Sequence, residues 1–199
     1  MNVSERDTCG VFVYGSVVSA AALAATLGEG ARDGVHFGKA TLAGWRRRWN
    51  VCTDNTVSRA VRYHTPGTTE RPPVQVLFLN IVPADPRTVL TGYLLLGGPD
   101  LVAALDAREG NYDRADVTHA VVGWGGLPRP ATVWAYVGKP ASVRTAEAGL
   151  SRGSARIRRE YLDVVAAAFA PHSDLTAELR ASLTPLPARI EPLTRVVAG

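Results

Sequence analysis

The sequence is poor in cysteine and has no long apolar run. Cys9 and Cys52 form neither a CxxC pair nor a spacing typical of zinc sites or disulfide frameworks, which fits a reducing compartment. The longest apolar run, residues 17–27, is too short to cross the ~30 Å of hydrocarbon in a bilayer. The first ten residues are polar and charged and lack a signal-peptide pattern. We therefore expect a cytoplasmic protein that does not span a membrane.

Signatures of several large enzyme classes are also missing. The chain has no GxGxxG, no P-loop pattern and no HExxH. Its four histidines, at positions 36, 64, 119 and 172, show no ligand spacing, so we expect no metal site.

The composition is that of a globular protein of ordinary size. The 199 residues are 46% hydrophobic and 20% charged, which is enough apolar content for a core without disulfides. The formal net charge of +4 is small for a nucleic-acid binder. We find no repeat and no linker, and expect one domain over residues 1–199 with its core at about 10–170.

Local patterns predict the helices and strands. Strand signals lie at residues 10–14, 39–51, 74–82, 89–96, 115–124 and 130–138. Helix signals lie at residues 20–27, 99–108 and 153–170. Residues 53–73 are polar and predict a long loop, and residues 171–199 predict an extended tail. Because strands and helices do not alternate regularly, we expect an α+β fold built on a small coiled or closed mixed β-barrel with flanking helices.

Two segments carry candidate chemistry. At residues 10–19 a strand ends in Tyr-Gly-Ser before a helix, and such turns leave backbone N–H groups that bind anions or oxyanions. Glu109 lies at the carboxyl end of the predicted helix 99–108, where the helix dipole disfavours a carboxylate. Burial there raises the pKa of a carboxyl group, which suits a general base. An ordinary strand–helix turn and an exposed glutamate beside Arg108 are the structural alternatives.

The segment from Trp45 to Trp49 interleaves tryptophan with arginine, a pattern seen in nucleic-acid binding. In a strand, however, Trp45, Arg47 and Trp49 share one face and Arg46 and Arg48 the other. We favour one buried and one solvated stripe over a nucleic-acid site.

In chain order, six short motifs resemble those of the γ-glutamylcyclotransferase-like family. They are VYGS at 13–16, ATLAGWRRRWN at 40–50, TGYLLLG at 91–97, LDAREGNY at 105–112, VWAYVG at 133–138 and REYLDVV at 159–165. Together they span about residues 10–170. The resemblance implies the family's small coiled β-barrel with flanking helices, and cyclisation of γ-glutamyl groups to 5-oxoproline with release of an amine.

Carried over residue by residue, the resemblance makes Glu109 the catalytic base. It implies a substrate-binding loop and two pocket tyrosines: Tyr14, Gly15, Ser16, Val17, Tyr136 and Tyr161. Val17 stands where several relatives carry Asn or Leu, which puts the specificity of the loop in question. The implied partner is a small γ-glutamyl molecule, with no cofactor and no metal.

Two other function classes remain open at this stage. A non-catalytic binding module on the same fold predicts Glu109 exposed or paired with Arg108, with no pocket beside residues 14–17. A thiol acyl-transfer enzyme would use Cys52 or Cys9 as its nucleophile. The sequence identifies neither the amine bound to the γ-glutamyl group nor the oligomeric state.

Overall fold

The computed structural model describes residues 8–197. The polar N-terminal stretch at 1–7 and the last two residues of the predicted tail lie outside this range. The helices are α1 Ala20–Leu27, α2 Pro99–Arg108, α3 Pro140–Arg152, α4 Arg159–Phe169 and α5 Ser173–Ser182. The strands are β1 Cys9–Val13, β2 Phe37–Ala43, β3 Trp45–Asp54, β4 Val61–His64, β5 Gln75–Pro83, β6 Val89–Gly97, β7 Tyr112–Asp116, β8 Val121–Gly123, β9 Val133–Gly138, β10 Ala155–Arg158, β11 Arg189–Glu191 and β12 Thr194–Val197.

Two mixed sheets form the body of the fold. The larger has the order β7-β9-β1-β6-β2-β8, in which β1 runs antiparallel to β6 and parallel to β9. The smaller has the order β11-β10-β5-β3. The buried core draws side chains from both sheets, and the buried amide of Asn80 joins them by donating to Asn50 Oδ1 (3.0 Å) and accepting from the Gly138 N–H (2.8 Å). The mixed α+β class is therefore confirmed.

The predicted closure into a barrel is not found. Within residues 8–197 the strands form three separate sheets, of six, four and two strands, and none closes on itself. No helix of this part of the chain is long and apolar enough to cross a membrane.

The single strand predicted at 39–51 is wrong, because Gly44 divides it. Gly44 has φ +77°, a conformation that glycine adopts without the steric cost other residues meet. Here the chain leaves the six-stranded sheet as β2 and enters the four-stranded sheet as β3. The Gly44 N–H donates to the Thr88 carbonyl, and the Gly44 carbonyl accepts from the Ala84 N–H. These hydrogen bonds hold the corner beside the segment that connects β5 to β6.

The helix predicted at 153–170 and the strand predicted at 115–124 are also corrected. Gly153, at φ +70°, ends the unpredicted helix α3, and the short strand β10 precedes α4. In the other segment Asp116 accepts hydrogen bonds from the N–H (2.9 Å) and hydroxyl (2.6 Å) of Thr118. This turn starts a 3₁₀ helix, Thr118–Ala120, between β7 and β8.

The predicted loop at 53–73 and the predicted tail at 171–199 prove to contain regular structure. Strand β4 lies in the first and pairs antiparallel with β12, which lies in the second together with α5 and β11. The buried Asn55 side chain orders the loop by bonding the carbonyl (2.7 Å) and N–H (2.8 Å) of Tyr63. The Asn55 side chain thereby satisfies the backbone groups of Tyr63 that a neighbouring strand would otherwise bond. Local composition does not reveal this contact.

Candidate active site

The Tyr-Gly-Ser turn follows directly on β1. Gly15 starts a 3₁₀ helix, Ser16–Val18, and Ser19 then caps α1 by accepting a bond from the Ala22 N–H (3.2 Å). Among residues 8–197 the N–H groups of Gly15, Ser16 and Val17 have no hydrogen-bond acceptor. The predicted N–H donors of the turn are therefore present.

Glu109 is the C-cap residue of α2. Its N–H bonds the Leu105 carbonyl (2.8 Å), and its own carbonyl accepts from the Tyr112 N–H (2.9 Å). Leu105 is buried in the core and fixes this end of the helix. The glutamate side chain is therefore held by packing on one side and a tight turn on the other.

The Glu109 carboxyl group is largely withdrawn from solvent. Its side chain is 21% exposed, and burial raises its pKa above the usual value for a glutamate. Arg108 acts in the opposite direction and lowers the pKa, with its Nε 3.3 Å from Glu109 Oε1. A carboxyl group in this position is suited to proton transfer.

Glu109 and the Tyr-Gly-Ser turn line the same small cavity, of about 60 Å³. The structure brings every sequence-predicted site residue to this inner cavity. They are Tyr14, Gly15, Ser16, Val17, Glu109, Tyr136 and Tyr161. Tyr112, which the sequence analysis did not single out, also contributes to the wall.

The tyrosines of the inner cavity differ in their hydroxyl partners. The Tyr14 hydroxyl donates to the Tyr136 carbonyl (2.5 Å), and the Tyr136 hydroxyl donates to Asp106 Oδ1 (2.7 Å). Tyr112 donates to the Leu79 carbonyl (2.7 Å). Tyr161 Oη would lie 3.4 Å from a Cβ placed on Gly15, so that hydroxyl lies against the loop. Burial raises the pKa of the Tyr161 hydroxyl, which keeps it a neutral donor.

A larger cleft of about 520 Å³ adjoins the inner cavity. The two share four lining residues, Ser16, Glu109, Tyr112 and Tyr161. The rest of this outer cleft comes from distant parts of the chain. Among its lining residues are Arg108, Asn111, Arg158 and Arg195.

The turn is supported by a buried ion pair that the sequence analysis did not predict. Arg47 forms an ion pair with Glu178 of α5, and its Nε donates to the Tyr14 carbonyl (3.0 Å). Glu178 Oε1 also accepts from the Thr91 N–H (2.9 Å). The alternating burial of Trp45 to Trp49 was predicted and is confirmed. The buried Arg47 needs a carboxylate partner. That partner, Glu178, lies in the segment that was predicted as a tail.

The two cysteines lie outside both cavities. Burial raises the pKa of the Cys52 thiol to about 12, and Cys9 Sγ donates to the Gly97 carbonyl (3.3 Å). A thiolate nucleophile is disfavoured at both positions. Within residues 8–197 no three His, Cys, Asp or Glu side chains come together as metal ligands.

Solved structures with the same fold include two that are named γ-glutamyl cyclotransferases. A γ-glutamyl cyclotransferase matches with a TM-score of 0.51 and 14% identity, over 93% of this chain and 89% of that chain. A yeast γ-glutamyl cyclotransferase specific to glutathione matches with a TM-score of 0.55 and 17% identity, over 90% and 97%. YkqA from Bacillus subtilis matches with a TM-score of 0.56 and 16% identity over 92% of this chain, which spans 56% of that protein.

No family model and no curated protein matches the chain in sequence. The structural matches nevertheless define its class: the chain has the γ-glutamylcyclotransferase-like fold. At 14–17% identity they establish the fold alone.

Proposed function

We propose that the protein is a γ-glutamylcyclotransferase-type enzyme. It converts a γ-glutamyl amide or peptide to 5-oxoproline and releases the attached amine, in the cytoplasm and as a single domain. One observation carries the proposal: Glu109, whose carboxyl group is largely withdrawn from solvent, lines one cavity together with residues 15–17, whose N–H groups have no acceptor among residues 8–197. The shared fold supports the same activity.

In this proposal Glu109 first acts as a base. The α-ammonium group of the substrate is protonated near pH 7, and its proton passes to Glu109. The freed amine attacks the γ-carbonyl carbon, and a five-membered ring closes. Because both reacting groups belong to one molecule, a cavity that holds the substrate in its folded conformation supplies much of the rate acceleration.

Glu109 then acts as an acid. The tetrahedral intermediate collapses, the bond between the γ-carbon and the leaving nitrogen breaks, and the protonated Glu109 returns its proton to the departing amine. The ring nitrogen loses its second proton to solvent, which leaves the neutral lactam, and the free amine takes up a proton near pH 7. The N–H groups of residues 15–17 bind an oxygen of the γ-glutamyl group, either the α-carboxylate or the γ-carbonyl oxygen as it gains charge. These reaction steps need no oxidant or reductant.

The tyrosines have different roles in this proposal. Tyr14 and Tyr136 direct their hydroxyl groups to protein acceptors, so they shape the wall. Tyr161 lies against Gly15 and at the junction of the two cavities, and we assign it to substrate binding. Val17 lines the inner cavity, its N–H group has no acceptor among residues 8–197, and we assign that N–H group to substrate binding.

A non-catalytic binding module is the second candidate. The Arg108–Glu109 ion pair favours it, because a paired carboxylate is a weaker base. The cavity beside residues 14–17 argues against it, since that hypothesis predicts none. We therefore rank the enzyme first.

The test is 5-oxoproline release from a panel of γ-glutamyl peptides and γ-glutamyl amines. We expect release from at least one member, together with an equal amount of free amine. Folded protein that binds a panel member but releases no 5-oxoproline would establish the binding module instead. Glu147→Gln is the matched control for a Glu109→Gln variant, because this exposed glutamate lies on α3 and outside both cavities.

A further inference from the structure

Strand β1 ends immediately before the Tyr-Gly-Ser turn, and its neighbour β6 continues past that end. The last pair between the two strands joins Val13 to Tyr93, so Thr91 of β6 lies beyond the end of β1. On its other side Thr91 is opposite Thr41 of β2. Thr91 is buried, and a buried backbone N–H and carbonyl need hydrogen-bond partners.

Arg47 and Glu178 provide those partners. Glu178 Oε1 accepts from the Thr91 N–H (2.9 Å), and Arg47 Nη2 donates to the Thr91 carbonyl (2.5 Å). Arg47 Nη1 forms the ion pair with Glu178. The two side chains therefore take the place of a strand segment beside β6. Because Arg47 belongs to β3, they also join the smaller sheet to the larger one at this point.

The same guanidinium group reaches the Tyr-Gly-Ser turn. Arg47 Nε donates to the Tyr14 carbonyl (3.0 Å). The ring of the buried Phe169 lies against the guanidinium, whose carbon is 4.9 Å from the ring centroid. All three nitrogens of Arg47 thus have a partner, and a planar guanidinium satisfies three fixed acceptors in one orientation.

The Tyr14 carbonyl belongs to the same peptide unit as the Gly15 N–H. In a planar trans peptide these two bonds point in opposite directions, so a bond that holds the carbonyl also sets the direction of the N–H. Gly15 lines the inner cavity, and its N–H has no acceptor among residues 8–197. Glycine restricts rotation of this peptide less than any other residue does, so its direction depends on the bond from Arg47.

We propose that Arg47 is a positioning residue for the proposed reaction. By holding the Tyr14 carbonyl, Arg47 fixes the peptide unit between Tyr14 and Gly15 and directs the Gly15 N–H to an oxygen of the substrate. Glu178 acts one step further away, because it holds Arg47 in place. This inference rests on the proposed function, in which the N–H groups of residues 15–17 bind that oxygen.

The test replaces Arg47 with lysine. Lysine keeps the positive charge beside Glu178 but offers one nitrogen in place of three, so the Tyr14 carbonyl loses its donor. We expect kcat/KM of the folded variant to fall by about 10- to 100-fold, while the acid limb of its pH profile stays in place because the charge is kept. A loss in kcat assigns the Gly15 N–H to the γ-carbonyl oxygen and a loss through KM to the α-carboxylate, and both support the proposal.

Two controls separate positioning from stability. Arg46→Lys changes the exposed neighbour of Arg47 in β3, which lines neither cavity, and should leave kcat/KM unchanged. Val121→Ala removes buried atoms of β8 outside both cavities, and should lower the urea midpoint without lowering kcat/KM of the folded protein. A folded Arg47→Lys variant with the wild-type kcat/KM, or an equal loss in Val121→Ala, would overturn the proposal.

Glu178→Asp tests the same contacts if Arg47→Lys does not fold. Its side chain keeps the charge but is shorter by one methylene, so it cannot hold both Arg47 and the Thr91 N–H where they now lie. We expect kcat/KM to fall, and Glu147→Asp at an exposed position of α3 to leave it unchanged. Wild-type activity in folded Glu178→Asp would count against the proposal as strongly as it would in Arg47→Lys.

An NMR measurement separates this inference from the proposed function, because it requires no turnover. The backbone amide signal of Gly15 should move in Arg47→Lys and keep its wild-type position in Arg46→Lys. A displaced Gly15 signal with no 5-oxoproline from wild type would sustain the role of Arg47 in the turn and reject the enzyme. Release of 5-oxoproline with a Gly15 signal that stays in place in Arg47→Lys would do the reverse.

Discussion

Glu109 occupies a place that is unfavourable for an ordinary surface glutamate. It caps the carboxyl end of α2, where the helix carbonyl groups disfavour negative charge, and most of its side chain is buried. Arg108 compensates in part from the neighbouring position. A residue held in this way is easier to explain by proton transfer than by stability.

The pH dependence of turnover follows from these opposing effects. The base must be deprotonated, and burial raises its pKa, so kcat/KM should fall as the pH decreases through a value above the usual pKa of about 4.3 for glutamate. Arg108 lowers this pKa, so Arg108→Gln should move the acid limb to higher pH. The measurement is kcat/KM for 5-oxoproline release against pH. An acid limb that stays in place or moves to lower pH in Arg108→Gln would contradict this account of Glu109.

At the scale of single elements, the sequence predicted the helix bounds that local interactions determine. Helix α1 begins and ends as its Ser19 cap and Gly28 stop predict, and α2 begins at Pro99 as expected. The predictions failed where one residue redirects the chain. Gly44 and Gly153 take positive φ values at a sheet crossing and a helix end, and the pattern of apolar residues continues through both.

The ion pair of Arg47 with Glu178 joins two elements that are far apart in sequence. Arg47 lies in β3, Glu178 in α5, and the arginine side chain is only 1% exposed. Burial lowers the pKa of the Arg47 guanidinium, and the charge of Glu178 opposes this. Arg47 of this pair also donates to the Tyr14 carbonyl at the start of the Tyr-Gly-Ser turn.

Removal of one charge of this pair should destabilise the protein. Glu178→Gln leaves the buried guanidinium without a counter-charge, and the expected loss is about 3 kcal/mol in the free energy of unfolding. Glu147→Gln on the exposed face of α3 should change it by less than about 0.5 kcal/mol. Urea unfolding of both variants at pH 7 measures the difference. Equal midpoints would show that the pair contributes nothing to stability.

At the scale of the whole molecule, the candidate site depends on the meeting of the two sheets. The Tyr-Gly-Ser turn extends from β1 of the larger sheet, and the Tyr112 hydroxyl donates to the Leu79 carbonyl in β5 of the smaller one. Glu109 enters from the end of α2, and Tyr161 from α4. Short motifs in chain order predicted the turn, Glu109 and Tyr161, but not Tyr112, because each motif is local and its resemblance is independent of tertiary contacts.

The lining of the outer cleft could not be predicted from the sequence. Arg195 lies in a segment predicted as a tail, and its position follows from a strand pairing with a segment predicted as a loop. Such a pairing joins residues more than a hundred positions apart, and neither strand shows a strong pattern alone. The residues of the inner cavity could therefore be predicted, while the outer cleft could not.

We propose that Glu109 performs the proton transfers of cyclisation. The most direct measurement is 5-oxoproline formation by wild type and Glu109→Gln at saturating substrate, with binding of the substrate to the variant measured in parallel. We predict that the variant binds substrate but loses about 10²- to 10⁴-fold in kcat. A Glu109→Gln variant that forms 5-oxoproline at the wild-type rate would contradict the claim.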